Sequence, residues 1–182
     1  MITGANGSGK TTLLRCIATA LRPDHGTIRL DGVDLWPNRR KIRKDIAFLS
    51  HATRLYEDLD ASANLQTWAQ LGGYSVDHPE LLARVGLPVD RKEPVKTFSA
   101  GMRRRLALAR VLLKRPRLLL LDEPFTALDP EGRALVIEIV RDLQASGTAL
   151  LVATHLPDVA AELCRQRIHM EAGAIIRNEA SA

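Results

Sequence analysis

Aromatic side chains are scarce in this sequence. Phe, Tyr and Trp together make up 4% of its 182 residues, so a core has to be assembled from Leu, Ile, Val and Ala. Cysteine is scarcer still. Cys16 and Cys164 are the only two, too few for a disulfide framework and without zinc-site spacing, which favours a reducing compartment. No apolar run approaches the roughly 20 residues that a membrane-spanning helix needs. The longest, Leu118–Leu121 and Ala149–Ala153, have the length of buried strands. The start of the chain lacks the basic-then-apolar layout of a secretory signal. Charge of neither sign is lacking: 26 Lys and Arg against 21 Asp and Glu leave +5, a balance compatible with nucleic acid, anionic lipid or a charged ligand and decisive for none. At 46% hydrophobic and 26% charged, collagen-like and disordered classes are excluded. The length fits one domain with its own core.

Short apolar runs alternate with amphipathic segments, the pattern of an α/β domain with a mainly parallel sheet. The spacing of Leu13, Leu14, Ile17, Ala18 and Leu21 predicts a helix from about Lys10 to Leu21, ended by Pro23-Asp24-His25-Gly26. Alternating residues around Asp31-Gly32 predict a two-residue hairpin. A basic stretch, Arg39 to Lys44, precedes a strand at Ile46–Leu49. Further helices are expected at Ala61–Leu71, capped by Asp60 and stopped by Gly72-Gly73, and around Glu80–Val85. Ser99 is placed to cap a long basic helix reaching about Lys114. Strand Leu118–Asp122 follows, then a helix opened by Asp129-Pro130 with Leu135, Val136, Ile139, Val140 and Leu143 on one face. Gly147 stops it. Strand Thr148–Thr154 and a hairpin over Ile168–Ile176, turning at Ala172-Gly173, complete the chain. There is no internal repeat and no linker.

Gly4-Ala5-Asn6-Gly7-Ser8-Gly9-Lys10-Thr11 matches G-x-x-x-x-G-K-[ST]. Its glycines let successive N–H groups turn inward and form an anion site at a helix N-terminus. Lys10 is placed to reach the β- and γ-phosphates of a nucleotide, and the Thr11 hydroxyl to ligate Mg²⁺. Only Met1-Ile2-Thr3 precede this loop, whereas a strand that delivers it typically has about 5–6 residues. The expectation is a fragment or a mis-started product, because a strand that central should be long and buried. Farther on, Leu118-Leu119-Leu120-Leu121-Asp122-Glu123 is an apolar strand ending in two carboxylates. Asp122 would complete a Mg²⁺ shell. Glu123 could polarise the water that attacks the γ-phosphate.

Phe98-Ser99-Ala100-Gly101-Met102, just before that strand, resembles the signature motif of ATP-binding cassette (ABC) ATPases, usually Leu-Ser-Gly-Gly-Gln. The resemblance runs on through Arg104-Arg105-Leu106-Ala107-Leu108-Ala109-Arg110, Asp122-Glu123-Pro124, Ala127-Leu128-Asp129 and Thr154-His155, in order, over nearly the whole chain. It implies a P-loop cassette of the ABC type: a mainly parallel central sheet with a helical signature subdomain and without the N-terminal β-strands. As domains, it implies one ATP-binding unit over 1–182, with a core at about 1–50 and 115–182 and a helical part at about 51–114. It implies ATP and Mg²⁺ as ligands and a head-to-tail homodimer with each ATP between two copies. Glu123, His155 and Lys10 are then catalytic. Gly4, Ala5, Asn6, Gly7, Ser8, Gly9, Lys10, Thr11 and Thr12 hold the nucleotide, with Ser99, Gly101 and Asp129 reaching across the dimer. Thr11 and Asp122 hold the metal.

Three departures stand out. His51 occupies the position where most cassettes carry Gln; imidazole suits Mg²⁺ poorly beside an oxygen donor, so His51 is read as a switch or coupling residue rather than a metal ligand. Met102 and Ala100 replace a Gln and a Gly of the signature, leaving Ser99 and Gly101. The adenine-stacking aromatic that the family places ahead of the loop has no counterpart here, a loss of roughly 1–3 kcal/mol by analogy with base stacking. The family further implies an integral membrane partner whose short helix docks near His51–Leu71, and a peripheral place on the cytoplasmic face of the cell membrane. With His51 and the segment through Leu59, the chain is most similar to ATP-binding subunits of cytochrome c maturation haem exporters. A cassette for another cargo is the alternative. A ribosome- or DNA-acting ABC protein is the reading in another class, but Arg39–Lys44 and Arg103–Arg105 read better as solvated faces than as a nucleic-acid site.

Overall fold

The computed structural model of the chain describes residues 1–75 and 77–180; residues 76, 181 and 182 of the expected 1–182 unit lie outside them. Its elements run β1 (Ile2–Thr3), α1 (Lys10–Ile17), β2 (Arg29–Leu30), β3 (Val33–Asp34), α2 (Arg39–Ile42), β4 (Ile46–Leu49), α3 (Ala61–Gly72), α4 (His78–Arg84) and α5 (Ala100–Lys114). They continue with β5 (Leu118–Asp122), α6 (Pro130–Ala145), β6 (Ala149–Ala153), α7 (Pro157–Ala161), β7 (Gln166–Glu171) and β8 (Ala174–Ala180). Six strands form one sheet in the order β4-β5-β6-β1-β7-β8, parallel except for the terminal β7–β8 hairpin. Strands β2 and β3 make a separate hairpin around Asp31-Gly32, as the alternation predicts.

Strand β5 shows why the sheet lies between layers. Leu119 and Leu121 join a core that includes Leu106 and Leu108 of α5 and Ile139 and Val140 of α6. Leu118 and Leu120 belong instead to the core containing Ile2, Ile46 and Leu14 of α1. Period-two alternation of one apolar run thus feeds both faces. Helix caps follow local chemistry: Asp60, Asp77, Ser99 and Asp129 each accept a backbone N–H three residues on.

One expectation about the first quarter of the chain is revised. Helix α1 ends at Ile17, not near Leu21: Thr19 takes a left-handed backbone (φ 56), and Arg43 donates to its hydroxyl (2.9 Å) and its carbonyl (2.8 Å). Leu21 is left exposed. Strand β1 is only two residues, yet it is central: Ile2 pairs with Ala153 of β6 and Ile168 of β7 and is fully buried. Thr154 N–H donates to the Ile2 carbonyl (3.2 Å) on one side and Ile168 N–H to the Met1 carbonyl (2.8 Å) on the other.

Phe125, two residues past the carboxylates, is completely buried in the core beneath α5 and α6. Phe125→Ala is expected to cost about 3–5 kcal/mol, measurable as a lowered urea midpoint with an unchanged m-value.

Candidate functional site

The carboxyl ends of β1, β4, β5 and β6 leave the sheet on one side, where open α/β sheets bind ligands. There a cleft of about 330 Å³ is lined by Asn6, Gly7, Gly9, Lys10, Thr11 and Thr12 of the phosphate loop, His51 after β4, and Asp122 and Glu123 after β5. The loop is backed by the β7–β8 turn, where Gly173 N–H donates to the Ser8 carbonyl (3.1 Å). A Cβ on Gly4 (φ +143) would lie 2.2 Å from the Met170 carbonyl oxygen, so the residue has to be Gly. Gly9, at the N-cap of α1, offers no side-chain cap, which leaves first-turn N–H groups for an anion. Ser8 Oγ is buried inside the loop without a hydrogen-bond partner. Lys10 folds back across the loop: its Nζ donates to the carbonyls of Gly4 (2.8 Å) and Ala5 (2.9 Å).

Opposite the loop, Thr11 Oγ1 donates to both oxygens of the buried Asp122 carboxylate, each at 3.0 Å. Two hard oxygens from separate elements therefore meet in the cleft. That donor set fits Mg²⁺, which takes one or two protein oxygens and completes its shell with water and phosphate. Among the described residues no cluster of three or more His, Cys, Asp or Glu is arranged to hold a metal alone. Glu123 takes a left-handed backbone (φ 51), and its N–H donates to the Ala153 carbonyl (2.8 Å). This turns its carboxylate toward the end of β6. Its Oε2 lies 2.7 Å from His155 Nδ1 and accepts from the Thr154 hydroxyl and the His155 N–H, both at 3.3 Å.

Ser99, Gly101 and Asp129 do not line this cleft. Ser99 caps α5 by accepting the Met102 N–H (3.1 Å) and is exposed. A Cβ on Gly101 would sit 3.2 Å from the Ala127 carbonyl, so the start of α5 is packed against the loop before Asp129. Asp129 caps α6 through the Gly132 N–H (2.8 Å). The signature residues thus stand together on the surface, apart from their own chain's phosphate loop.

The expectation that Arg103–Arg105 forms a solvated face fails at Arg104, which is 5% exposed. Its guanidinium donates to the carbonyls of Ser50 (2.7 Å), Asp122 (2.7 Å), Glu123 (2.6 Å) and Pro124 (3.4 Å). Burial pushes it below the usual arginine range, and the Asp122 and Glu123 charges oppose that push. Helical spacing carried the signal: Arg104 precedes Leu108 and Val111 by four and seven residues, on the buried face. The basic stretch near residue 40 is also partly engaged, with the Arg39 guanidinium 5.0 Å from the Trp36 ring centroid.

A second groove of about 740 Å³ lies between β4, α3 and α5, and its lining includes Arg15, Arg43, Arg54, Trp68, Arg110 and Lys114. It overlaps the segment expected to receive a partner helix. Arg110 lies 4.5 Å from the Trp68 ring centroid. Burial first, and the neighbouring Arg54 second, push its guanidinium below the usual range.

The sequence model of the ABC transporter family matches residues 1–126. A daunorubicin resistance ATP-binding protein, DrrA3 of Streptomyces coeruleorubidus, is 38% identical over 96% of this chain and 57% of its own length. The chain therefore spans little more than half of that relative. The cytochrome c biogenesis ATP-binding export protein CcmA of Bradyrhizobium diazoefficiens is 44% identical over 85% of this chain and 76% of its own. Among solved structures, a dimeric post-hydrolysis state of the ATP-binding cassette MJ0796, bound to ADP and Pi, superposes with a TM-score of 0.88 at 25% identity. That match covers 100% of this chain and 84% of the cassette.

The loop geometry separates two glycine substitutions. A Cβ placed on Gly7 (φ +82) would meet nothing within 4 Å, so Gly7→Ala is expected to cost only left-handed strain, about 1–2 kcal/mol. Gly4→Ala adds the Met170 clash, a further cost of about 1–3 kcal/mol. Paired urea titrations that rank the two variants the other way would contradict the packing of the β7–β8 hairpin against the loop.

Proposed function

The chain belongs to the ABC transporter family, and from that premise we propose that it is the ATP-binding and ATP-hydrolysing subunit of a transporter, acting as a pair of copies on a separate integral membrane subunit. The observation that carries the reading is a division of labour. One cleft gathers the phosphate loop, the Thr11–Asp122 contact and Glu123, whose carboxylate meets His155, while the signature helix presents Ser99 elsewhere on the surface. A second copy, turned head to tail, satisfies both half-sites at once. The dimeric ADP-bound cassette with the same fold supports a pair of copies as the working unit.

In the closed pair the loop amides and the Lys10 ammonium take the β- and γ-phosphates. Thr11 and Asp122 would hold Mg²⁺, which would neutralise charge on those phosphates. Glu123 accepts a proton from the attacking water as its oxygen bonds to the γ-phosphorus and the bond to the bridging oxygen of ADP breaks. His155, 2.7 Å from the Glu123 carboxylate, donates to the γ-phosphate in this reading. Ser99 and the N-terminus of α5 face the partner copy's γ-phosphate, with Gly101 allowing the approach and Asp129 contacting the other copy. His51 stands at the mouth of the cleft as a switch residue, and no role as a metal ligand is assigned to it.

No helix among the described residues is long and apolar enough to cross a membrane. The groove beside Arg54 and Trp68 is the dock for the membrane subunit's short helix, at the cytoplasmic face of the membrane. The relative named for cytochrome c biogenesis supports haem export as the task. The daunorubicin resistance relative, matched over more of this chain, favours a second reading, export of another cargo. Loss of c-type cytochromes on deletion of the gene distinguishes the two.

Purified full-length chain is expected to hydrolyse MgATP with a rate per copy that rises with enzyme concentration. Glu123→Gln should lower turnover by roughly 10²–10⁴-fold, retain ATP and elute as a dimer. Lys10→Ala should lose nucleotide binding. Full turnover in Glu123→Gln, or a wild-type rate indifferent to dilution, would overturn the reading.

A further inference from the structure

A buried charge is ordinarily paired, for a guanidinium with a carboxylate. Arg104 has two within its electrostatic reach, Asp122 and Glu123, and hydrogen-bonds neither side chain. The Asp122 carboxylate instead accepts from Thr11, and that of Glu123 from Thr154 and His155. Arg104 takes their main-chain carbonyls, together with those of Pro124 and Ser50. One planar group thereby ties three parts of the molecule: the signature helix that bears it, the turn that carries Glu123, and the strand end immediately before His51. The left-handed backbone of Glu123 is gripped from both directions, by Ala153 on its N–H (2.8 Å) and by Arg104 on its carbonyl (2.6 Å). Those two bonds set where its carboxylate points. Ser99 lies five residues earlier at the start of the same rigid helix, about 7.5 Å along its axis.

We propose that Arg104 is a positioning residue that links the two nucleotide sites of the dimer. Its helix N-terminus is engaged by the phosphate in the partner copy's cleft, and its guanidinium transfers that engagement to Glu123 in its own cleft. Filling one site therefore orients the base of the other, which makes hydrolysis cooperative in ATP. The inference rests on the ATPase reading above and adds to it the route of communication. Lysine cannot replace Arg104, because a single ammonium does not span carbonyls on two strand ends as a guanidinium fork does.

The test compares the wild type, Arg104→Lys and, on the same helix, Arg105→Lys in the full-length chain. The wild type is expected to show a Hill coefficient for MgATP above 1. Arg104→Lys should drop kcat by at least about tenfold and bring the Hill coefficient to 1, out of proportion to any change in ADP affinity or melting temperature. Arg105→Lys, whose parent side chain binds only the Gly86 carbonyl, should behave as wild type. A wild type with a Hill coefficient of 1 overturns the inference. So does an Arg104→Lys variant with undiminished kcat and cooperativity, or one whose kcat falls only in step with ADP affinity and melting temperature. A wild type inert toward MgATP sinks the ATPase reading itself. Should Arg104→Lys not fold, guanidinium NMR of the otherwise native chain decides: ATP added to Glu123→Gln should shift the Arg104 resonances where ADP does not, and unmoved resonances overturn the inference.

Discussion

The register of three neighbouring parallel strands governs everything at the cleft. Ala153 of β6 stands beside Ile2 of β1 on one side and beside Asp122 of β5 on the other. That single alignment brings the start of the phosphate loop, the pair of carboxylates and the Thr154-His155 step to the same height above the sheet. A slip of one residue in β5 would turn Asp122 to the opposite face and end its contact with Thr11. Such a slip is resisted because Leu119 and Leu121 are committed to one core and Leu120 to the other. Four consecutive leucines divided between two cores thus fix the geometry of a polar site.

Parallel strands that stop together leave carbonyl oxygens at their ends, and buried carbonyls require donors. The chain answers with side chains from other elements. Arg104 serves the ends of β4 and β5, and Thr148 Oγ1 donates to the Pro116 carbonyl (2.7 Å) at the opposite edge. The first solution brings a positive charge beneath two acidic residues. It compensates part of their mutual repulsion while leaving their oxygens directed at the cleft.

Much of this was legible in the residues alone where the cause was local. The phosphate loop, the caps at Asp60, Ser99 and Asp129, and the turns at Asp31-Gly32 and Ala172-Gly173 depend on side chains within a few positions of one another, and they form as expected. What escaped has tertiary causes. The early end of α1 needs Arg43, twenty-four residues beyond Thr19. The burial of Arg104 differs from the fates of Arg103 and Arg105 only through the face each occupies. The pairing of Glu123 with His155 joins two strand ends that no spacing rule brings together. Lys10 is the instructive middle case: its identity follows from the loop, whereas its grip on the Gly4 and Ala5 carbonyls is visible only in three dimensions.

The closeness of Gly4 to the Met170 carbonyl bears on how this site can evolve. The obstacle to a larger residue in the loop is a peptide oxygen, which every amino acid at position 170 would carry. No exchange of the opposing side chain can relieve the collision, so compensatory alleles at 170 are closed off. Reversion of a damaged fourth codon would have to come from a change that lifts the whole terminal ribbon, and with it the floor of the anion nest.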